Sequence, residues 1–77
     1  MHWYYVEPTS DDKWQVLAEG HSEPRVFERR EEAVTTAERY ARGNFAANGL
    51  PSGVRIRQGG LWRDDEVFAE GRGRRRS

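Results

Sequence analysis

The sequence has no cysteine and no long run of apolar residues. Without cysteine the chain can form neither disulfides nor thiolate metal sites. No stretch approaches the roughly 18 consecutive apolar residues of a membrane-spanning helix, and the N-terminus lacks the basic-then-apolar pattern of a signal peptide. We therefore expect a soluble, unexported protein of the cytoplasm that has no membrane partner.

The sequence also lacks the residue patterns of an active site. His2 and His21 have no second histidine at a metal-ligand spacing, and the acidic runs at 11–12 and 64–66 do not match a calcium loop. No serine or threonine stands in a nucleophile motif such as Gly-x-Ser-x-Gly. We expect no catalytic residues, no metal and no cofactor, and we infer that the protein is not an enzyme.

The charges are balanced in number but unevenly placed. The chain has 13 basic and 13 acidic side chains, yet residues 1–70 carry a net charge of −4 and residues 71–77 carry +4. A chain of 77 residues has room for one domain. We predict a compact domain over 1–70 and a basic flexible tail over 71–77, which either contacts a partner or only improves solubility. The candidate contacts in the tail are Arg72, Arg74, Arg75 and Arg76.

Apolar periodicity predicts strands and one helix. Two strands are predicted at 3–7 and 13–19, and in the second of them apolar residues alternate with polar ones. From about 29 to 47 apolar residues recur every three or four positions, which predicts a helix. No good capping residue stands at 28–30. The helix could stop at Gly43, but we favour an end near Gly49 because Phe45 continues the apolar stripe.

The predicted fold class is α+β, with an antiparallel β-sheet packed on one α-helix in the order β-β-α-β-β. Residues 25–27 are either a short additional strand or the lead-in to the helix. The stretch VRIRQGGLW, residues 54–62, predicts the closing hairpin, because two glycines supply the backbone angles of a tight turn. The predicted core consists of Trp14, Val16, Val34, Ala37, Tyr40, Ala41, Phe45 and Ile56.

Four stretches of the chain follow a known pattern: WYYVEP, KWQVLAEG, RVFERREEAVTTAERYAR and VRIRQGGLW. Together they resemble the small bacterial domain of unknown function 2188, although Arg29 replaces the family's usual cap and the connection GNFAANGLPSG is longer. The resemblance covers nearly the whole chain and implies this fold, but it implies no activity, because the family has no settled one. The matching residues are Trp14, Val16, Phe27, Glu32, Ala33, Ala37, Ala41 and Gly60.

One face of the predicted sheet is left uncovered, because a single helix can pack on only one side. Alternation places Arg55 and Arg57 on the uncovered side, opposite Val54 and Ile56. On the first strand either Trp3 and Tyr5 or Tyr4 and Val6 must face away from the helix, and we choose Trp3 and Tyr5 because Val6 is the better core residue. The candidate partner-binding residues of this face are Trp3, Tyr5, Leu17, Arg55 and Arg57. Aromatic rings interleaved with guanidinium groups are typical of single-stranded nucleic-acid binding, but they also occur where a sheet shields itself and pairs its arginines with acids.

The turn length decides where Trp62 lies. A two-residue turn at Gly59-Gly60 places Trp62 opposite Arg57 on the uncovered face, whereas a three-residue loop places it opposite Ile56 in the core. We favour the core, because a large aromatic side chain is costly to expose in a small domain.

The expected function is a non-catalytic binding module that acts through the uncovered face and the basic tail. The partner is a protein or a nucleic acid, and the sequence leaves the two undecided. The alternative is a phage or mobile-element inhibitor, similar to anti-CRISPR proteins, that blocks a host nucleic-acid machine. We expect a monomer or a weak dimer.

Overall fold

The computed structural model describes residues 1–21 and 23–69 of the chain. In chain order these residues form β1 (His2–Pro8), β2 (Trp14–Ala18), β3 (Arg25–Phe27), α1 (Arg30–Asn48), β4 (Ser52–Gln58) and β5 (Leu61–Phe68). The α+β fold with one helix is confirmed, and residues 25–27 are a short third strand before that helix. The predicted tail, residues 71–77, lies outside the described residues.

The five strands form one sheet in the order β3-β2-β1-β4-β5. Neighbouring strands are antiparallel except for the central pair, β1 and β4, which run parallel, so the sheet is mixed. The helix explains this exception. Because β3 runs in the same direction as β1 and α1 returns the chain to the starting end of the sheet, β4 must again run parallel to β1.

The helix covers one face of the sheet through a stripe of alanines. Ala33, Ala37 and Ala41 are spaced by four residues and are fully buried, so their small side chains let the helix approach the strands closely. Gly49 caps the end of the helix with a left-handed φ of 69°, and its N–H donates to the Phe45 carbonyl. The helix therefore ends at the later of the two predicted positions. None of the described helical residues forms a segment long and apolar enough to cross a lipid bilayer.

The core lies between the alanine stripe and the helix-facing side chains of the central strands. The buried strand residues are Tyr4, Val6, Val16, Val54 and Ile56. Trp14 and Val34, both predicted to be core residues, pack against this cluster while only partly buried. Tyr40 was also predicted to be buried, but it is 36% exposed, because it lies at the rim of a cleft beside the helix.

A β-bulge between β4 and β5 sets the direction of the last side chains. Val54 pairs with Glu66 whereas its neighbour Arg55 pairs with Asp64, so Asp65 is the extra residue. The bulge changes the alternation of β5. As a result Phe68, paired with the buried Ser52, packs against the core.

Candidate functional site

The uncovered side of the sheet, here called the open face, collects the aromatic and charged side chains that point away from α1. Pairing between strands places Trp3 beside Gly53, and Tyr5 between Leu17 and Arg55. The structure therefore puts all five predicted body residues on one surface. The open face consists of Trp3, Tyr5, Glu7, Gln15, Leu17, Val26, Gly53, Arg55, Arg57, Trp62, Asp64 and Val67.

Trp3 lies over β4 at the one position where that strand has no side chain. A Cβ added to Gly53 would stand 2.5 Å from a carbon of the Trp3 ring, so the glycine makes the space that the indole occupies. Arg55 then stacks on this indole, with its guanidinium carbon 3.8 Å from the ring centroid. A cation at this distance is attracted to the electron-rich face of the ring, which holds both side chains in place.

A pair of aromatic rings lies next to the stack of Arg55 on Trp3. The rings of Tyr5 and Trp62 meet edge to face with their centroids 5.4 Å apart, a favourable geometry for two aromatic groups. The guanidinium of Arg57 lies 5.7 Å from the Trp62 ring centroid. Trp62 remains 43% exposed in this arrangement, so much of its ring is accessible from solvent.

The predicted core position of Trp62 is wrong. Gly59 and Gly60 have φ angles of 60° and 84° and form the two-residue turn, which pairs Trp62 with Arg57 and Arg55 with Asp64. Burial of the indole would have required a third loop residue. The contact with the Tyr5 ring offsets part of the cost of exposing the Trp62 indole.

Each arginine of the open face is paired with a carboxylate. Arg55 Nε donates to Asp64 Oδ1 at 3.0 Å, and Arg57 Nη1 lies 3.7 Å from Glu7 Oε1. The other oxygen of Glu7 accepts a hydrogen bond from the Gln15 amide at 3.0 Å. Two cations and two anions thus make the centre of the face neutral, as in the self-shielding alternative considered from the sequence.

Sequence reasoning missed the partners that depend on the parallel pair. Glu7 reaches Arg57, and Gly53 accommodates Trp3, only because β1 lies beside β4. No local signal in the sequence indicates which strands are neighbours in the sheet. The pairing of Asp64 with Arg55, in contrast, follows from the two-residue turn alone. The tail arginines, Arg72, Arg74, Arg75 and Arg76, lie outside the described residues.

A separate pair of carboxyl groups joins the helix to the edge strand. A hydrogen bond to the Asp65 carboxyl, partial burial, and the negative charges of Asp65 and Glu66 together raise the pKa of Glu38 to about 7. Such a pair holds one proton between two acids. Over residues 1–21 and 23–69, no three His, Cys, Asp or Glu side chains are grouped so that they could hold a metal ion.

Comparison with known proteins places the chain in a family. Neither the curated proteins nor the solved structures gave a significant match. A family model matches residues 4–65, which include β1 from Tyr4 onward, β2 to β4, the helix, and the part of β5 that carries Trp62 and Asp64, but not Trp3. The match extends over more than half of the 77 residues. The chain therefore belongs to the bacterial family described as "Uncharacterized protein conserved in bacteria (DUF2188)".

Proposed function

We propose that the protein is a non-catalytic binding module whose open face contacts a partner protein. The observation that carries this proposal is the position of Trp62, which stands 43% exposed against Tyr5 on a face that no part of the described chain covers. Tryptophan, tyrosine and arginine are the residues that most often dominate the binding energy of protein interfaces. All three residue types are adjacent here.

The charge arrangement favours a protein over a nucleic acid. Arg55 and Arg57 are already paired with Asp64 and Glu7, so phosphate groups would have to compete with these carboxylates or lie close to them. Nucleic-acid affinity comes largely from cations that neutralise phosphates, and a neutral centre provides little of that attraction. A protein surface with apolar groups and charges of both signs is the complementary partner.

The stacking geometry supports the same choice. Bases bind single-strand-specific proteins by stacking on free aromatic faces, but Arg55 covers one face of Trp3 at 3.8 Å. The mutual contacts of Trp3, Arg55, Tyr5 and Trp62 also fix their side chains before any partner arrives. Preorganised side chains lose less conformational entropy on binding, which favours a tight protein interface.

Two neighbouring residues provide a matched test. Trp62 and Leu61 are both exposed, at 43% and 74%, but they are successive residues of β5 and point to opposite sides of the sheet. The tagged protein is used to capture partners from a nuclease-treated bacterial lysate, with Trp62→Ala and Leu61→Ala compared by quantitative mass spectrometry. We expect to recover a partner protein with the unsubstituted chain and with Leu61→Ala. The amount of this protein recovered with Trp62→Ala should be lower by about tenfold or more.

Nucleic-acid binding would give a different outcome. Fluorescence anisotropy with short single-stranded DNA and RNA would then show affinity that falls steeply between two salt concentrations, with a slope reduced by about one for each arginine contact removed. Such a result at Arg55 and Arg57, together with no protein that distinguishes Trp62→Ala from Leu61→Ala, would contradict the proposal. The inhibitor of a host nucleic-acid machine is one kind of protein-binding module and stays a prediction.

A further inference from the structure

A cleft of about 500 Å³ opens on the helix side of the sheet, away from the open face. It lies between α1 and the β1-β2 hairpin, where Tyr4, Val16 and Ala18 form its floor. Arg25, from β3, and Arg39 and Tyr40, from the helix, are at its sides. Its volume is within the range of about 300 to 1,000 Å³ that is typical of small-molecule sites.

The cations of this cleft differ from those of the open face. Within residues 1–21 and 23–69, the ion pairs are formed by Lys13, Arg55 and Arg57, and none involves Arg25 or Arg39. Glu23 is the one carboxylate among the described lining residues, against these two arginines. The cleft therefore has an excess of positive charge that an anion could balance.

The tyrosines supply both aromatic surface and hydrogen-bonding groups. The rings of Tyr4 and Tyr40 have centroids 6.0 Å apart, and Arg25 Nη1 donates to the Tyr40 hydroxyl at 2.9 Å. This bond fixes one arginine beside an aromatic ring and leaves other guanidinium N–H groups for a ligand. Burial, with a smaller effect of Tyr40, raises the pKa of Tyr4, so its hydroxyl stays protonated and can donate.

Gly43 leaves the edge of the cleft free of side-chain atoms. It lies inside α1, where glycine weakens a helix, and it also lines the cleft. Close packing does not require a glycine there, because an added Cβ would have no heavy atom within 4 Å. Because a helical side chain lies over the turn that precedes its own Cα, a larger side chain at this position would lie over Arg39 and Tyr40, at the edge of the cleft. Gly43 leaves this edge open.

We infer that the cleft binds a small planar anion, with an aromatic body against Tyr4 and Tyr40 and a carboxylate held by Arg25 and Arg39. This combination of flat apolar surface and guanidinium groups that form no ion pair with a described residue is complementary to an aromatic carboxylate. The inference is independent of the proposed function, because the cleft and the open face are on opposite sides of the sheet.

The probe for this site is 2-naphthoate, with the uncharged 2-naphthalenemethanol as its matched control. In a ¹H–¹⁵N NMR titration of the full chain, we expect saturable shifts at Ala18, Tyr40, Gly43 and Asn44, and at least about tenfold weaker binding of the alcohol. Arg39→Gln should weaken 2-naphthoate binding about tenfold, whereas Arg57→Gln, on the open face, should leave it unchanged.

Filling the cleft is the second arm of the test. Gly43→Phe should abolish the naphthoate shifts by covering the edge of the cleft, without lowering the melting temperature, because the helix loses a glycine and the new Cβ meets no atom within 4 Å. The inference is overturned if the shifts do not saturate, if they map to Tyr5 and Trp62, if the alcohol binds equally well, or if folded Gly43→Phe still binds. If Gly43→Phe does not fold, the Arg39→Gln and Arg57→Gln comparison decides between the same outcomes.

Discussion

Gly53, in β4, has a steric role that the described glycines of the helix and the turns do not share. Its missing side chain lets the Trp3 indole lie across β4, and the indole in turn carries the guanidinium of Arg55. One glycine therefore supports the stack of Arg55 on Trp3. Because the residues meet across a parallel pair of strands, this dependence is invisible in the order of the sequence.

Gly53→Ala should destabilise the protein and disrupt the stack on Trp3. The new methyl group would stand 2.5 Å from the ring, so the indole must move away and lose its contact with Arg55. We expect a loss of about 1–3 kcal/mol in the free energy of unfolding, measured by urea denaturation, and a change in tryptophan fluorescence. Gly43→Ala is the matched control and should stabilise by about 0.5–1 kcal/mol, because its methyl group meets nothing within 4 Å. Equal effects of the two substitutions would contradict the packing described for Trp3.

Glu38 should make stability depend on pH near neutrality. Its pKa is about 7 in the folded protein against 4.5 ordinarily, so the folded state retains a proton that the unfolded state loses. The stabilising contribution of this proton is complete below about pH 4.5 and is lost as the pH rises to about 7. Glu38→Gln cannot ionise, so it should raise the melting temperature at pH 8 and change it little at pH 4. A larger gain at pH 4 than at pH 8 would show that the carboxyl pair with Asp65 does not share a proton.

At the scale of the elements, the helix begins without a side-chain cap. Arg29 occupies the N-cap position with extended backbone angles, φ −125° and ψ 148°, but its side chain makes no capping hydrogen bond. The sequence predicted this weakness, because no Ser, Thr, Asp or Asn stands at residues 28–30. The acidic residues of the first turn, Glu31 and Glu32, interact favourably with the helix dipole but do not replace the cap.

Arg29→Asp should repair the start of the helix. The aspartate can accept a hydrogen bond from a free N–H of the first turn, and its charge suits the positive end of the helix dipole. We expect the free energy of unfolding to rise by about 0.5–2 kcal/mol in urea denaturation, with Arg29→Ala as the control that removes the arginine without adding a cap. If Arg29→Asp is no more stable than Arg29→Ala, the helix does not begin where the backbone indicates.

The strands differ in how far the sequence predicts them. Alternation left two possible outward faces for β1, and the choice of Val6 as the better core residue correctly placed Trp3 and Tyr5 on the open face. It could not place Trp62, since one residue more or less in the turn reverses the direction of every later side chain. The sequence also did not predict the bulge at Asp65, because a local irregularity in the pairing of two strands leaves no periodic signal.

At the scale of the whole molecule, the helix and the sheet formed by residues 1–21 and 23–69 give two unlike surfaces. The helix side has an open cleft whose two arginines form no ion pair with any described residue, while the open face has exposed aromatic rings among paired charges. The sequence could predict the existence of two sides from helix and strand periodicity. It could not predict that Arg57 pairs with Glu7, because that contact depends on the parallel pairing of β1 and β4.

The most direct test of the open face as a protein-binding surface is photo-crosslinking from two successive positions of β5. The photoreactive residue p-benzoylphenylalanine replaces either Trp62 or Leu61 in the full chain, and illuminated cells are analysed after nuclease digestion. We predict a covalent adduct with another protein from position 62 and none from position 61, because only the first side chain lies on the open face. Equal adducts from both positions, adducts that nuclease removes, or adducts with a second copy of the chain alone would contradict the proposal.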